Sequence, residues 1–270
     1  MAELNIRESM NKALREALDN NENVFLMGED IGMYGGPYAV TKGLLEEYGS
    51  EKIMDTPISE SGFVGAAIGA SMAGMKPIVE IMTINFSLLA IDQIVNHAAK
   101  IHYMSDGQLS VPIIIRTVTG AGGRLAATHS QSFEGWYASV PGLKVVSPSN
   151  AIDALGLFRS AINDNNPVIF VEHSMLYGVK NEIPDQYYET PIGLPKVLEK
   201  GDDLTLIAWS GMIPLAKSIS IELNKSNINT EIIDLISLNP IDFELIFESV
   251  KKTNKVVILD EYWETGSFGS

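Results

Sequence analysis

No cysteine occurs in the 270 residues, which excludes a disulfide scaffold, a thiolate zinc site and a cysteine nucleophile together. Positive charge is scarce. Nineteen lysines and arginines stand against 34 acidic residues, a net charge of −15. Such a surface repels polyphosphate backbones, so nucleic acid is excluded as a partner. Long apolar runs are missing as well. The longest, around residues 66–75, is interrupted by glycines and falls far short of the roughly 20 residues that a membrane span needs. There is no GxxxxGK(S/T) phosphate loop, no GxSxG elbow and no HExxH helix. The polar stretch 1–7 has no secretory pattern. What is present is a 46% hydrophobic chain, long enough for one large or two modest domains. It reads as soluble, acidic and intracellular, with no membrane contact.

Strand-like apolar runs alternate with helical stretches, the pattern of an α/β protein with a parallel sheet. Strands are expected at 24–27, 77–81, 111–116, 143–146, 168–171, 204–208, 230–234 and 256–259. Helices are expected at 6–19, 64–73, 86–102, 151–163, 213–225 and 243–252. In the first, Ile6, Met10, Ala13, Leu14 and Leu18 fall on one face at helical spacing. Several strands are continuously apolar, as when helices cover both faces of a sheet. A polar stretch with Pro184, Pro191 and Pro195 shows no period and reads as a linker. The expected division is therefore 1–180, a linker at 181–202, and a second α/β unit at 203–270.

Three segments could carry chemistry. Asp55-Thr56-Pro57-Ile58-Ser59-Glu60 leads into a helix rich in glycine and alanine. Ser59 can cap that helix and Glu60 complements its dipole, so on these residues alone helix-start chemistry is favoured over a functional role. Met82-Thr83-Ile84-Asn85-Phe86 follows a strand directly, where open parallel sheets bind ligands, but on these residues alone Met82 and Phe86 read as core. The run from Thr117 through Gly120, Gly122 and Gly123 is a glycine-rich loop after another strand, and it delivers His129. His97 and His102 fall in a helical stretch and His173 ends a strand. His129 is the histidine in a polar loop, where a catalytic and a merely solvated role are equally open.

The ordered set Gly28-Glu29-Asp30, Tyr34-Gly35-Gly36, Val40-Thr41-Lys42-Gly43-Leu44, Asp55 to Glu60, Met82 to Phe86, His129-Ser130-Gln131 and Pro141-Gly142-Leu143-Lys144-Val145-Val146 resembles one family. It is the beta subunit of the thiamine-diphosphate-dependent 2-oxo acid dehydrogenase component, of the pyruvate, branched-chain and acetoin type. The likeness runs from about Ile6 to the last residue. It implies a pyrimidine-binding domain followed by a transketolase-type carboxyl-terminal domain. By the resemblance, Glu60 hydrogen-bonds the aminopyrimidine ring of thiamine diphosphate and favours its imino tautomer. Phe86 stacks on that ring, and Glu29, Ile58 and Met82 line the pocket. His129 faces the substrate and moves protons during acyl handover to a lipoyl group. The resemblance also implies a potassium site built from Ile113, Ala161, Ile162, Asp164 and Asn166. Read without it, the same loop is a helix end followed by a turn.

The family holds the diphosphate through Mg²⁺ on a GDG-type motif, and no Gly-Asp-Gly occurs here. The implied partners are therefore an alpha subunit that supplies most of the Mg²⁺ site in an α2β2 heterotetramer, and a lipoyl acyltransferase. The implied compartment is the cytoplasm, or an organelle matrix or stroma in a eukaryote. The expected reaction is oxidative decarboxylation of pyruvate. Thr128 stands where many relatives have glutamine, and the loop 117–123 leans toward the acetoin type, whereas Ser147-Pro148-Ser149-Asn150 and the stretch 164–167 lean toward pyruvate. Acetoin and branched-chain 2-oxo acids are the alternative substrates, and a non-catalytic docking subunit is the alternative role. Thr265-Gly266-Ser267-Phe268-Gly269-Ser270 resembles a turn that continues into further elements in relatives. The second domain is accordingly expected to be truncated and less stable than the first.

Overall fold

The computed structural model describes residues 2–270. Its elements in chain order are β1 (Ala2–Asn5), α1 (Ile6–Asn20), β2 (Val24–Gly28), α2 (Leu44–Tyr48), β3 (Ile53–Asp55), α3 (Glu60–Met72), β4 (Lys76–Ile81), α4 (Ile101–Met104), β5 (Ile114–Thr119), α5 (Glu134–Ala138), β6 (Lys144–Val146), α6 (Ala151–Asn163) and β7 (Val168–His173). Then follow β8 (Lys180–Ile183), β9 (Lys196–Glu199), β10 (Leu204–Ala208), α7 (Met212–Asn224), β11 (Thr230–Asp234), β12 (Ser237–Asn239), α8 (Glu244–Thr253) and β13 (Val256–Ile258). The architecture is α/β. Among the described residues no helix is long and apolar enough to cross a membrane.

A large sheet has the order β12-β6-β7-β5-β4-β2-β3. All its pairings are parallel except β12 on β6. Its central strands β4, β5 and β7 are almost wholly buried, which explains their continuous apolar runs. On one face α1 packs against α6, burying Ile6, Met10, Ala13, Leu14 and Leu18 as the spacing predicts. Asn5 and Glu8 form a reciprocal capping box that starts α1. Asn150 starts α6 by accepting from the Asp153 N–H at 2.8 Å. A smaller sheet has the order β13-β10-β11-β9, with β10 parallel to both β11 and β13.

Two expectations are corrected. The stretch 181–202 is not a featureless linker: β8 pairs with β1, and β9 joins the small sheet antiparallel to β11. Strands this short carry too few residues for a period to register. The helix expected over 86–102 is broken into a 3₁₀ segment (Ile84–Ala90), a π segment (Gln93–Ala98) and α4. The Ser87 hydroxyl donates to the Ile84 carbonyl at 2.5 Å, a local bond that competes with regular helix geometry. The tight first turn sets Phe86 just past the carboxyl end of β4.

Candidate active site

Strands β2, β3, β4, β5 and β7 run parallel, so the segments that follow them emerge at the same side of the sheet, where ligands bind in open α/β folds. Glu29 follows β2, Glu60 lies beyond β3, Met82 to Phe86 follow β4, and the glycine-rich loop and His129 follow β5.

The first group is a pair of carboxyls. Asp55 at the end of β3 accepts the N–H groups of Gly32, at 2.7 Å, and Met33, at 3.3 Å, drawing the loop after Glu29 toward the start of α3. Gly36 in this loop has φ +84°, and a Cβ there would lie 2.9 Å from Thr41 Oγ1, so the turn requires glycine. Glu60 opens α3 and is buried. Ser59 stands at the N-cap but makes no capping bond, which corrects the capping expectation. Its φ of −162° and ψ of 74° depart from the usual cap backbone. Glu29 is buried too, and its Oε1 has no hydrogen-bond partner. Burial pushes the Glu29 carboxyl up, and the charges of Glu60 and Asp30 add to that. Two buried carboxyls with an unfilled acceptor call for a ligand that brings N–H donors. An aminopyrimidine fits that demand.

The second group lines a pocket of about 440 Å³. Met82, Phe86 and His129 meet there, together with Tyr38, Leu125 and Met175, which sequence patterns did not single out. The Phe86 and His129 rings sit edge-on, 5.2 Å between centroids and 86° between planes. Asn85 holds the arrangement: its Nδ2 donates to Thr83 Oγ1 at 2.7 Å, and its Oδ1 accepts the Gln131 N–H at 3.2 Å. His129 Nδ1 lies 2.8 Å from the Thr128 hydroxyl. Glu29 and Glu60 stand outside this lining, and Ile58 is 85% exposed.

Of the residues expected around potassium, several oxygens already accept hydrogen bonds. Lys76 Nζ donates to the Ile162 carbonyl at 2.8 Å, and Lys144 pairs with the Asp164 carboxylate. The Asp164 carboxyl also accepts two bonds from Asn166, while the carbonyls of Ile113 and Ala161 accept from Val168 and Asp164 N–H groups. Burial raises the Asp164 pKa, but Lys144 and Asn166 outweigh it and hold the carboxyl below its usual range. Each of these carbonyls keeps a second lone pair, and no step is assigned to a cation here.

Beneath the pocket Arg116 pairs with Glu80 and Glu172 in the sheet interior, all three buried. Single residues on three separate strands leave no sequence signal of such a triad. Glu134 is buried behind the pocket and accepts the Thr119 hydroxyl at 3.0 Å.

Residues 2–180 match the family "Transketolase, pyrimidine binding domain", and residues 193–270 match "Transketolase, C-terminal domain". The "Pyruvate dehydrogenase E1 component subunit beta" of Rickettsia bellii (strain RML369-C) is 46% identical over 268 residues, covering 99% of this chain and 82% of that protein. The mitochondrial "subunit beta-2" of the same component from Oryza sativa subsp. japonica is 46% identical over 272 residues, covering 99% of this chain and 72% of that one. A solved structure described as a "Split gene transketolase, inactive beta4 tetramer" superposes with a TM-score of 0.81 at 23% identity, covering 98% of this chain and 82% of that chain. The transketolase of Campylobacter jejuni superposes with a TM-score of 0.73 at 16% identity, over 99% of this chain and 44% of that one. The last two similarities establish the fold, and the first two the branch. With both transketolase domains matched in order, the chain belongs to the transketolase-like family, in its branch of 2-oxo acid dehydrogenase beta subunits.

Proposed function

We propose that the chain acts as the beta subunit of a pyruvate dehydrogenase E1 component, in which it holds the aminopyrimidine half of thiamine diphosphate and presents His129 to the substrate. The observation that carries this reading is the buried Glu29–Glu60 pair with its unpartnered oxygen. The pocket in which Phe86 meets His129 supports it. When bound, thiamine diphosphate supplies the electron-sink chemistry of decarboxylation. Glu60 orients the pyrimidine ring and holds a proton at its carboxyl oxygen. Glu29, with its raised pKa, can share a proton in the same buried space. Phe86 and Met82 provide an apolar wall that excludes water. The Thr128 hydroxyl, 2.8 Å from Nδ1, orients the His129 ring and leaves Nε2 to exchange a proton on the substrate side.

The finer parts of the proposal rest on the resemblance. A chain of charge −15 without a Gly-Asp-Gly segment is poorly suited to clamp a diphosphate alone. An alpha-type partner supplies that clamp with Mg²⁺, in an α2β2 assembly that hands its acyl group to a lipoyl acyltransferase. The bacterial cytoplasm or a mitochondrial matrix is the compartment this activity implies.

The test is reconstitution with an alpha subunit and assay on pyruvate, branched-chain 2-oxo acids and acetoin. Preference for acetoin or a branched-chain acid would replace pyruvate in the reading, and a bound but inactive complex would make this a docking subunit. Glu60→Gln keeps the volume but cannot share a proton in the same way, and is expected to lower turnover by about 10²–10⁴-fold. His129→Ala is expected to slow acyl transfer to lipoyl more than it weakens cofactor binding. Comparing full-complex turnover with reduction of an artificial acceptor separates the two, and equal loss of thiamine diphosphate affinity would refute the assignment.

A further inference from the structure

Separate parts of the chain meet on the imidazole of His173, the buried last residue of β7. Its Nδ1 accepts the Met175 N–H at 3.2 Å, so the ring proton resides on Nε2. Nε2 donates to Glu261 Oε2 at 2.7 Å. The other oxygen of Glu261 accepts the Ala121 N–H at 3.0 Å. One carboxylate, placed after the last strand of the small sheet, thus bridges the end of β7 and the glycine-rich turn that follows β5. Packing is close on two sides of the ring. A Cβ at Gly120, whose φ is +107°, would lie 2.4 Å from His173 Nε2. A Cβ at Gly211, just before α7, would lie equally near. Gly120 and Gly123 wall the pocket that contains His129.

We infer that His173 and Glu261 are positioning residues: together they clamp the turn at 120–124 and thereby fix the pocket wall beside His129, so that a segment following the small sheet shapes a site built on the large one. The inference rests on the proposed role of His129. Both groups that Glu261 bridges are donors, so only an acceptor-only side chain satisfies them. A glutamine turns its NH₂ toward one donor or the other and loses one bond at unchanged volume. Glu261→Gln is therefore the sharp variant. Gly211→Ala is the second, because it presses on the His173 ring from outside the pocket.

The experiment compares both variants with the unaltered chain, in complex with its alpha-type partner, by amide hydrogen–deuterium exchange over residues 119–131 and by steady-state turnover of pyruvate. Both variants are expected to exchange faster in that stretch and to lose about 10–100-fold in kcat, the scale of a small misplacement of a catalytic wall, with thiamine diphosphate affinity unchanged. Exchange as slow as in the unaltered chain would overturn the inference whatever the turnover. Faster exchange at full kcat would overturn the positioning role if His129→Ala is impaired in the same assay. Full turnover by His129→Ala would instead defeat the reading of the site itself, while the exchange result still decides whether the clamp exists.

Discussion

At Glu134 burial outweighs every favourable contact. It pushes the carboxyl up to about 7 against the opposing bonds from the backbone and Thr119, and the charges of Asp260 and Glu261 push the same way. The fold therefore favours the neutral acid. Its contribution to stability is fully present below the ordinary glutamate range and is lost as pH rises through about 7, a change on the order of 3 kcal/mol. Glu134→Gln stays neutral and can still accept the Thr119 hydroxyl. Thermal melts at about pH 5 and about pH 8 should show the unaltered chain losing stability between them and the variant losing less. Equal loss in both would show that Glu134 is ionised throughout.

Elements carry the next level of constraint. Strands β4, β5 and β7 contribute Glu80, Arg116 and Glu172 to one buried cluster. Burial raises the Glu80 pKa, Arg116 opposes it, and Glu172 adds to it, so the arginine is what makes two interior carboxylates tolerable. Arg116→Met is expected to cost about 3–5 kcal/mol in a denaturant titration, because it leaves two buried acids uncompensated. Replacing all three with apolar residues of similar volume should cost much less, since paired charges gain little over well-packed side chains. A triple variant as damaged as the single one would point to the cluster's shape instead of its charge balance.

For the molecule as a whole, the two sheets share material. Strand β12, which follows β11 of the small sheet in the chain, pairs with β6 of the large one. The Ser147 N–H donates to the Ile236 carbonyl and Asn239 Nδ2 to the Leu143 carbonyl, each at 2.8 Å. Ile207, Trp209 and Leu235 lie in the same apolar cluster as Val145 and Ile169. Heat should therefore unfold both parts in a single cooperative transition, and two resolved transitions in calorimetry would contradict that coupling. Limited proteolysis should still cut first at the exposed 185–187 segment between β8 and β9.

The sequence by itself determined the α/β class and the long elements. The period of α1 and the continuous apolar runs of β4, β5 and β7 are local records of which surfaces face the core. It also determined Glu60, Phe86 and His129 as candidates, because each stands in a motif whose residues are neighbours in the chain. The tertiary structure alone decided what has no local record. Strands of three or four residues, such as β3, β9 and β12, exist because a partner strand completes their hydrogen bonds. Lys76 reaches Ile162 across 86 positions, and Arg116 reaches Glu172 across 56. The contact of Glu261 with Ala121 spans 140. Such pairings depend on how the sheets close on one another, and nothing in the spacing of the residues along the chain encodes that.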